Sequence, residues 1–97
     1  MIEETIFSRN CEDVAKYWGD LMPTNCIEEA CELVQAISKV ERYKKQNRLD
    51  QLVNARNNLI QELADVIIAI KALQIHYSLD EEEIMDKIEI KLNKDYY

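Results

Sequence analysis

One glycine, Gly19, and one proline, Pro23, are the only strong backbone punctuation in 97 residues. Sheets need frequent turns, and turns draw on glycine and proline; long helices need few. Glu, Leu, Ala, Lys and Gln, which lose little side-chain freedom in a helix, are plentiful. Strand-like alternation is absent. The chain is therefore read as all-α and as a single domain over residues 1–97. That length is near the lower end of what builds an independent core, and small chains of long helices often complete their cores by oligomerising.

The apolar pattern divides the chain into four helical segments. Cys11, Val14, Ala15 and Trp18 recur at i, i+3, i+4, i+7 and predict a helix over roughly 8–19. Pro23 is read as a break, after which Thr24 or Asn25 caps a second helix over roughly 26–46. The polar stretch 44–50 is the expected loop, or a frayed extension of that helix. A third helix follows over roughly 51–77. Asp80 is the expected N-cap of the last helix, with Glu83 as the reciprocal acid and an apolar stripe at Ile84, Ile88 and Leu92. A four-helix-type bundle is the expected architecture. The third helix is apolar almost all round, as in a helix buried on most sides, so at least a dimer is expected, and dimer and tetramer both remain open.

Two acidic pairs conflict with that pattern. Glu29 and Glu32 lie one turn apart in the second helix, and Glu62 and Asp65 one turn apart in the third. At about 100° per residue, Glu29 falls inside the apolar arc of its helix between Ala36 and Val40, and Glu32 falls on the edge of that arc. Glu28 projects to the polar side with Gln35 and Lys39. Glu62 projects between Ala69 and Leu73, and Asp65 between Ala72 and His76. Ionised carboxylates rarely face a core without compensation, and Lys39 and Lys71 project from other faces of their own helices. A hard divalent cation resolves the conflict.

The donor types narrow the metal. Di-iron bundles need Glu-x-x-His motifs and zinc sites want His or Cys, whereas this chain has one imidazole, His76. An all-oxygen site points to Mg²⁺, or to Mn²⁺, and to phosphate-ester or anhydride chemistry. His76 shares a face with Asp65 and is either a substrate contact or an ordinary satisfied imidazole. Trp18, Tyr17 and Phe7 are either a stacking surface or core.

The net charge of −7 argues against a binder of nucleic-acid polymers, which would present a basic face. Leu63 to Ile75 is the most apolar stretch; it is too short to span a bilayer and carries Asp65, Lys71 and Gln74, so no membrane role is expected. The N-terminal residues lack the basic and apolar regions of a secretory signal. Cys11, Cys26 and Cys31 are an odd number without CxxC spacing, read as helix-packing thiols of a reducing compartment. The expected location is cytoplasmic.

Glu29-x-x-Glu32 followed by Glu62-x-x-Asp65 resembles the EXXE…EXXD signature of the all-α, MazG-like nucleoside triphosphate pyrophosphohydrolases. Residues 28–39, EEACELVQAISK, look like that family's first metal helix, and residues 61–66, QELADV, like its second. The similarity runs from about Cys26 to Asn93. The 29 residues between Glu32 and Glu62 make a connector at or beyond the family's usual upper end.

The resemblance implies hydrolysis of the α–β phosphoanhydride of a nucleoside triphosphate, giving monophosphate and pyrophosphate. It implies Glu29, Glu32, Glu62 and Asp65 as Mg²⁺ ligands, one glutamate orienting or deprotonating the water. It also implies that Lys91 and Lys94, with Lys87 one turn earlier, reach the phosphates. A solvated helix end near its dipole is the plainer account of those lysines. Phosphoribosyl-ATP pyrophosphohydrolase shares the same fold and metal logic. A non-catalytic helical interaction or regulatory dimer is the rival from another class.

Overall fold

The computed structural model describes residues 4–94, which form four α-helices: α1 (Glu4–Trp18), α2 (Met22–Lys45), α3 (Leu49–His76) and α4 (Glu81–Leu92). One 3₁₀ turn, Gly19–Leu21, joins α1 to α2. No strand occurs among the described residues, and no helix there is long and apolar enough to cross a membrane.

The boundaries follow local chemistry, with one correction. Gly19 takes the left-handed region (φ +52°), which only glycine enters at little cost, and this ends α1. Pro23 does not break the chain. It sits in the first turn of α2, where its missing N–H has no intrahelical partner to lose. Thr24 and Asn25 are therefore inside the helix rather than caps, and Asn25 is buried.

The expected 44–50 loop is only the three residues Gln46–Arg48. Asn47 turns left-handed there (φ 57°), and the Arg48 N–H donates to the Tyr43 carbonyl at 3.0 Å, closing the end of α2. Ser78 plays the same part after α3 (φ 55°). Asp80 caps α4 as expected by accepting from the Glu82 N–H at 2.9 Å, one residue short of the capping-box position; no reciprocal bond from Glu83 forms.

α2 and α3 pack as an antiparallel hairpin along most of their length, and α1 lies against α3. The buried apolar side chains are small or flexible: Cys11, Ala15, Met22, Ala36, Ala55, Ala69 and Ala72. Val14, Trp18, Cys26 and Ile75 close around the cluster of Ala15, Met22, Ala69 and Ala72. The predicted stripe of α1 is thus the face it buries.

The large apolar residues of α2 and α3 lie elsewhere. Ile27, Val34 and Ile37 on α2, and Val53, Ile60, Leu63, Ile67 and Ile70 on α3, are all exposed, Ile60 at 65%. Their three-and-four spacing makes a heptad-like seam on the outer face of each helix. So α3 is not buried on most sides within one chain: only its alanine face is.

α4 likewise fails to complete a bundle. It makes no substantial packing contact with α1, α2 or α3, and Ile84, Ile88 and Leu92 are exposed. Its tie to the rest is the Lys71–Glu81 ion pair at 3.3 Å. The open form shows in the dimensions. The radius of gyration is 16.1 Å, against about 12.5 Å for a compact chain of this length. The accessible surface is 7868 Å², against about 5,800 Å² for a compact monomer of this mass.

Candidate metal centre

The inner face of the α2–α3 hairpin brings the acids together. Glu29 and Glu32 project from α2 and Glu62 from α3, and one carboxylate oxygen of each lies within 4.8 Å of the others. Glu29 and Glu62 are half-buried and Glu32 is exposed. Glu29 Oε2 and Glu62 Oε2 are shut off from solvent and have no hydrogen-bond partner. Buried acceptors are normally satisfied, so two orphaned carboxylate oxygens in one cluster of acids need an explanation.

Their electrostatics agree with the geometry. Loss of solvent pushes the Glu29 carboxyl above its ordinary value, and the charges of Glu32, Asp65, Glu62 and Glu28 push it further. Glu62 rises through loss of solvent, then the charges of Glu32 and Asp65, and last the Glu32 carboxyl within hydrogen-bonding reach. No lysine or arginine is among the groups acting on either. Lys71 is engaged with Glu81 instead. Among the described residues, the charges acting on these two carboxyls are all acidic, so the acids repel one another without a basic neighbour to neutralise them.

Asp65 stands one turn on from Glu62. It is exposed and lies outside the closest set of three, though its charge reaches both half-buried glutamates. It joins Glu29 in lining a cleft of about 160 Å³ where α1 meets the hairpin, walled by Val14, Trp18, Asn25, Ile68 and Ala69. Trp18 lines this cleft together with Glu29 and Asp65. Tyr17 is exposed and meets Trp18 edge-on at 5.4 Å, outside the cleft.

Asn25 is the residue that the sequence reading misplaced. It buries a carboxamide at the wall of this cleft. Its spacing with Glu29, Glu32 and Ala36 was visible as a heptad-like run, but reading Pro23 as a break put Asn25 outside the helix.

The other expected residues are not gathered here. Lys87 sits on α4 beside Glu83, Asp86 and Ile90, Lys91 lies in the last turn of α4, and Lys94 lies just past its end. Since α4 stands off from the other helices, one chain does not bring these lysines to the acids. His76 stacks edge-on against Tyr77 at 4.9 Å, three turns along α3 from Asp65. Cys11 is buried and Cys26 half-buried, and burial raises both thiols, that of Cys26 with help from the Glu29 charge; Cys31 is exposed.

The residues able to hold a cation are therefore Glu29, Glu32 and Glu62, with Asp65 next to them. The donor set is wholly oxygen, and its two orphaned oxygens are the ones a cation would satisfy. No family model, curated protein or solved structure matches this chain.

Proposed function

We propose that the chain is a MazG-like nucleoside triphosphate pyrophosphohydrolase dependent on Mg²⁺, with Mn²⁺ as a substitute. The observation that carries this reading is the convergence of Glu29, Glu32 and Glu62 with two solvent-excluded, unpartnered oxygens. A purely structural helical module has no use for such mutual repulsion. The nearby cleft adds what a nucleotide needs, an indole face from Trp18 and the Asn25 carboxamide.

A divalent cation held by these carboxylates would neutralise the polyphosphate and bring a bound water nearer ionisation. The chain's own residues do the rest. Trp18 and Asn25 hold the nucleoside beside Asp65. A glutamate of the set takes a proton as the water oxygen bonds to the α-phosphorus. The bond from that phosphorus to the bridging oxygen breaks, and pyrophosphate leaves with the bonding pair. The nucleoside monophosphate carries the new oxygen.

The same reading includes a second copy of the chain. The outer seams of α2 and α3 are exposed rows of Ile, Leu and Val at heptad-like spacing, which interdigitate with their own kind about a two-fold axis. Two such hairpins face to face make the four-helix bundle that one chain lacks. The excess surface, about 2,000 Å² over a compact monomer, is on the scale of an obligate interface. Three free thiols, one of them exposed, suit a reducing, cytoplasmic setting.

Hydrolysis of a nucleotide panel in ¹⁸O-labelled water with Mg²⁺ tests the reaction. The label is expected in the nucleoside monophosphate, with intact pyrophosphate as co-product. Label in orthophosphate, with nucleoside diphosphate accumulating, would make this a terminal phosphatase. No turnover of any nucleotide would leave the helical interaction protein as the better reading.

A further inference from the structure

The acids occupy only part of the hairpin groove. Beyond them, toward the Gln46–Arg48 turn, lies a second cleft of about 310 Å³ lined by Lys39 and Tyr43 of α2 and by Gln51, Asn54, Ala55 and Asn58 of α3. Ala55 is buried and forms its floor. The remaining five side chains offer an ammonium, a phenol and three carboxamides, and no carboxylate faces them in that lining. None of the five makes a side-chain hydrogen bond or ion pair among the described residues. Their donors are all unspent.

The charge around this cleft is opposite to that of the rest of the chain. Residues 39–56 hold six of the twelve basic residues and two of the nineteen acids, a net of +4 against −11 elsewhere. Arg42 and Arg48 both lie over the Tyr43 ring, at 5.1 and 5.9 Å from its centroid, which sets two guanidinium groups at the rim. A cleft of free donors in a locally positive field selects an anion rich in acceptor oxygens.

Its place along the groove identifies the anion. Lys39 follows Glu32 by seven residues, so it lies on nearly the same meridian of α2 and about 10 Å along it. Asn58 precedes Glu62 by four residues, one turn or about 6 Å away on the same face of α3. The Trp18 cleft, the acids and the Lys39 cleft thus form one line. A nucleoside triphosphate laid along it puts its nucleoside by Trp18, its α-phosphate at the carboxylates and its outer phosphates by Lys39.

We propose that the cleft of Lys39, Tyr43, Gln51, Asn54 and Asn58 is an anion site that receives the β- and γ-phosphates of the substrate and holds pyrophosphate as it leaves. The word substrate rests on the hydrolysis proposed above; the anion site does not. It takes over in α2 and α3 the part that the sequence reading gave to Lys87, Lys91 and Lys94.

The test is calorimetric titration of the full chain with inorganic pyrophosphate, once in EDTA and once with Mg²⁺. Wild-type protein is expected to bind it in both. Lys39→Gln should weaken binding at least tenfold, and Asn58→Asp, which keeps the side-chain size but sets a carboxylate in the cleft, should weaken it more. Glu32→Gln should bind pyrophosphate in EDTA as well as wild type or better, since it removes a repelling charge from the same groove. Lys91→Ala should match wild type. All variants are exposed or half-buried positions, and circular dichroism checks that each stays helical.

Absence of pyrophosphate binding in both conditions would overturn the proposal. So would wild-type affinity in both Lys39→Gln and Asn58→Asp, or loss of binding in Lys91→Ala with Lys39→Gln intact. If no nucleotide is hydrolysed yet Lys39 still governs pyrophosphate binding, the proposed reaction falls and the anion site stands.

Discussion

The two faces of the α2–α3 hairpin teach opposite lessons about what marks a protein interior. The inner face carries Ala36, Ala55, Ala69 and Ala72 together with Asn25, Glu29 and Glu62, and it is the buried or half-buried one. The outer face carries Ile27, Val34, Ile37, Ile60, Leu63, Ile67 and Ile70, and it is open. Hydrophobicity would rank them the other way round. Side-chain size explains the inversion: small residues let two helices approach closely and leave room between them for a ligand, whereas a ridge of large residues needs another ridge to fill its gaps. Within one chain, therefore, the interior is where the chain touches itself, and the oiliest surface is the one it leaves open.

The largest expected effect comes from the inner face. Glu62→Gln keeps the side-chain size and removes one charge of the repelling set. Nucleotide hydrolysis should fall by about two to four orders of magnitude if this carboxylate binds the cation or activates the water, while far-ultraviolet circular dichroism stays that of a helical protein. Unchanged turnover would show that the acids repel one another for some reason unconnected with catalysis.

Next is the outer face. Leu63→Glu combined with Ile67→Glu sets charges along the exposed seam of α3. Light scattering should then report a monomer where wild type is an oligomer. The contrasting inner-face change, Ala69→Leu, forces a large side chain into a position that is 2% exposed. It should destabilise the fold by about 1–3 kcal/mol through overpacking. If both changes acted alike on oligomeric mass, the distinction between the two faces would be false.

The smallest effect is a matter of pH. Glu29 and Glu62 are raised above the ordinary carboxylate value of 4.5. A raised acid binds its proton more tightly folded than unfolded, so these two groups favour the fold below about pH 4.5. That advantage is lost as pH climbs through their raised values and stays lost above them. Metal-free protein should show this as a falling contribution to the melting temperature above pH 4.5. The decline should be shallower in Glu62→Gln and offset by saturating Mg²⁺. Equal pH dependence in all three samples would count against mutual repulsion in the set.

Much of this was legible in the sequence because the relevant signals are periodic. The i, i+3 pairs and their place on each helical projection were enough to set Glu29 and Glu62 inward, and the helical recurrence of Cys11, Val14, Ala15 and Trp18 gave the buried face of α1. Asn25 was not legible, because the same Pro23 can end one helix or begin another, and only the 3₁₀ turn before it decides. The seam of Ile60, Leu63, Ile67 and Ile70 was visible as apolar, but its direction was not, since periodicity cannot distinguish a core from an interface. Lys87, Lys91 and Lys94 escaped placement because the short link 77–80 and the Lys71–Glu81 ion pair, rather than helix packing, set where α4 lies among the described residues. The Lys39 cleft escaped because carboxamides and a lysine on a polar helix flank read as ordinary solvated residues.

The three-residue turn at Gln46–Arg48 also sets an order of events. It joins two long helices end to end, so their pairing closes a short loop first and then zips away from it, whereas α1 must find α3 across the whole length of α2. Contacts near in sequence forfeit less chain entropy and form sooner. Glu29, Glu32 and Glu62 all belong to the early hairpin; the Trp18 wall of their cleft arrives with α1. The nascent chain thus meets its own charge repulsion as the hairpin zips, and a dication held there would speed the zipping as well as steady the finished pair.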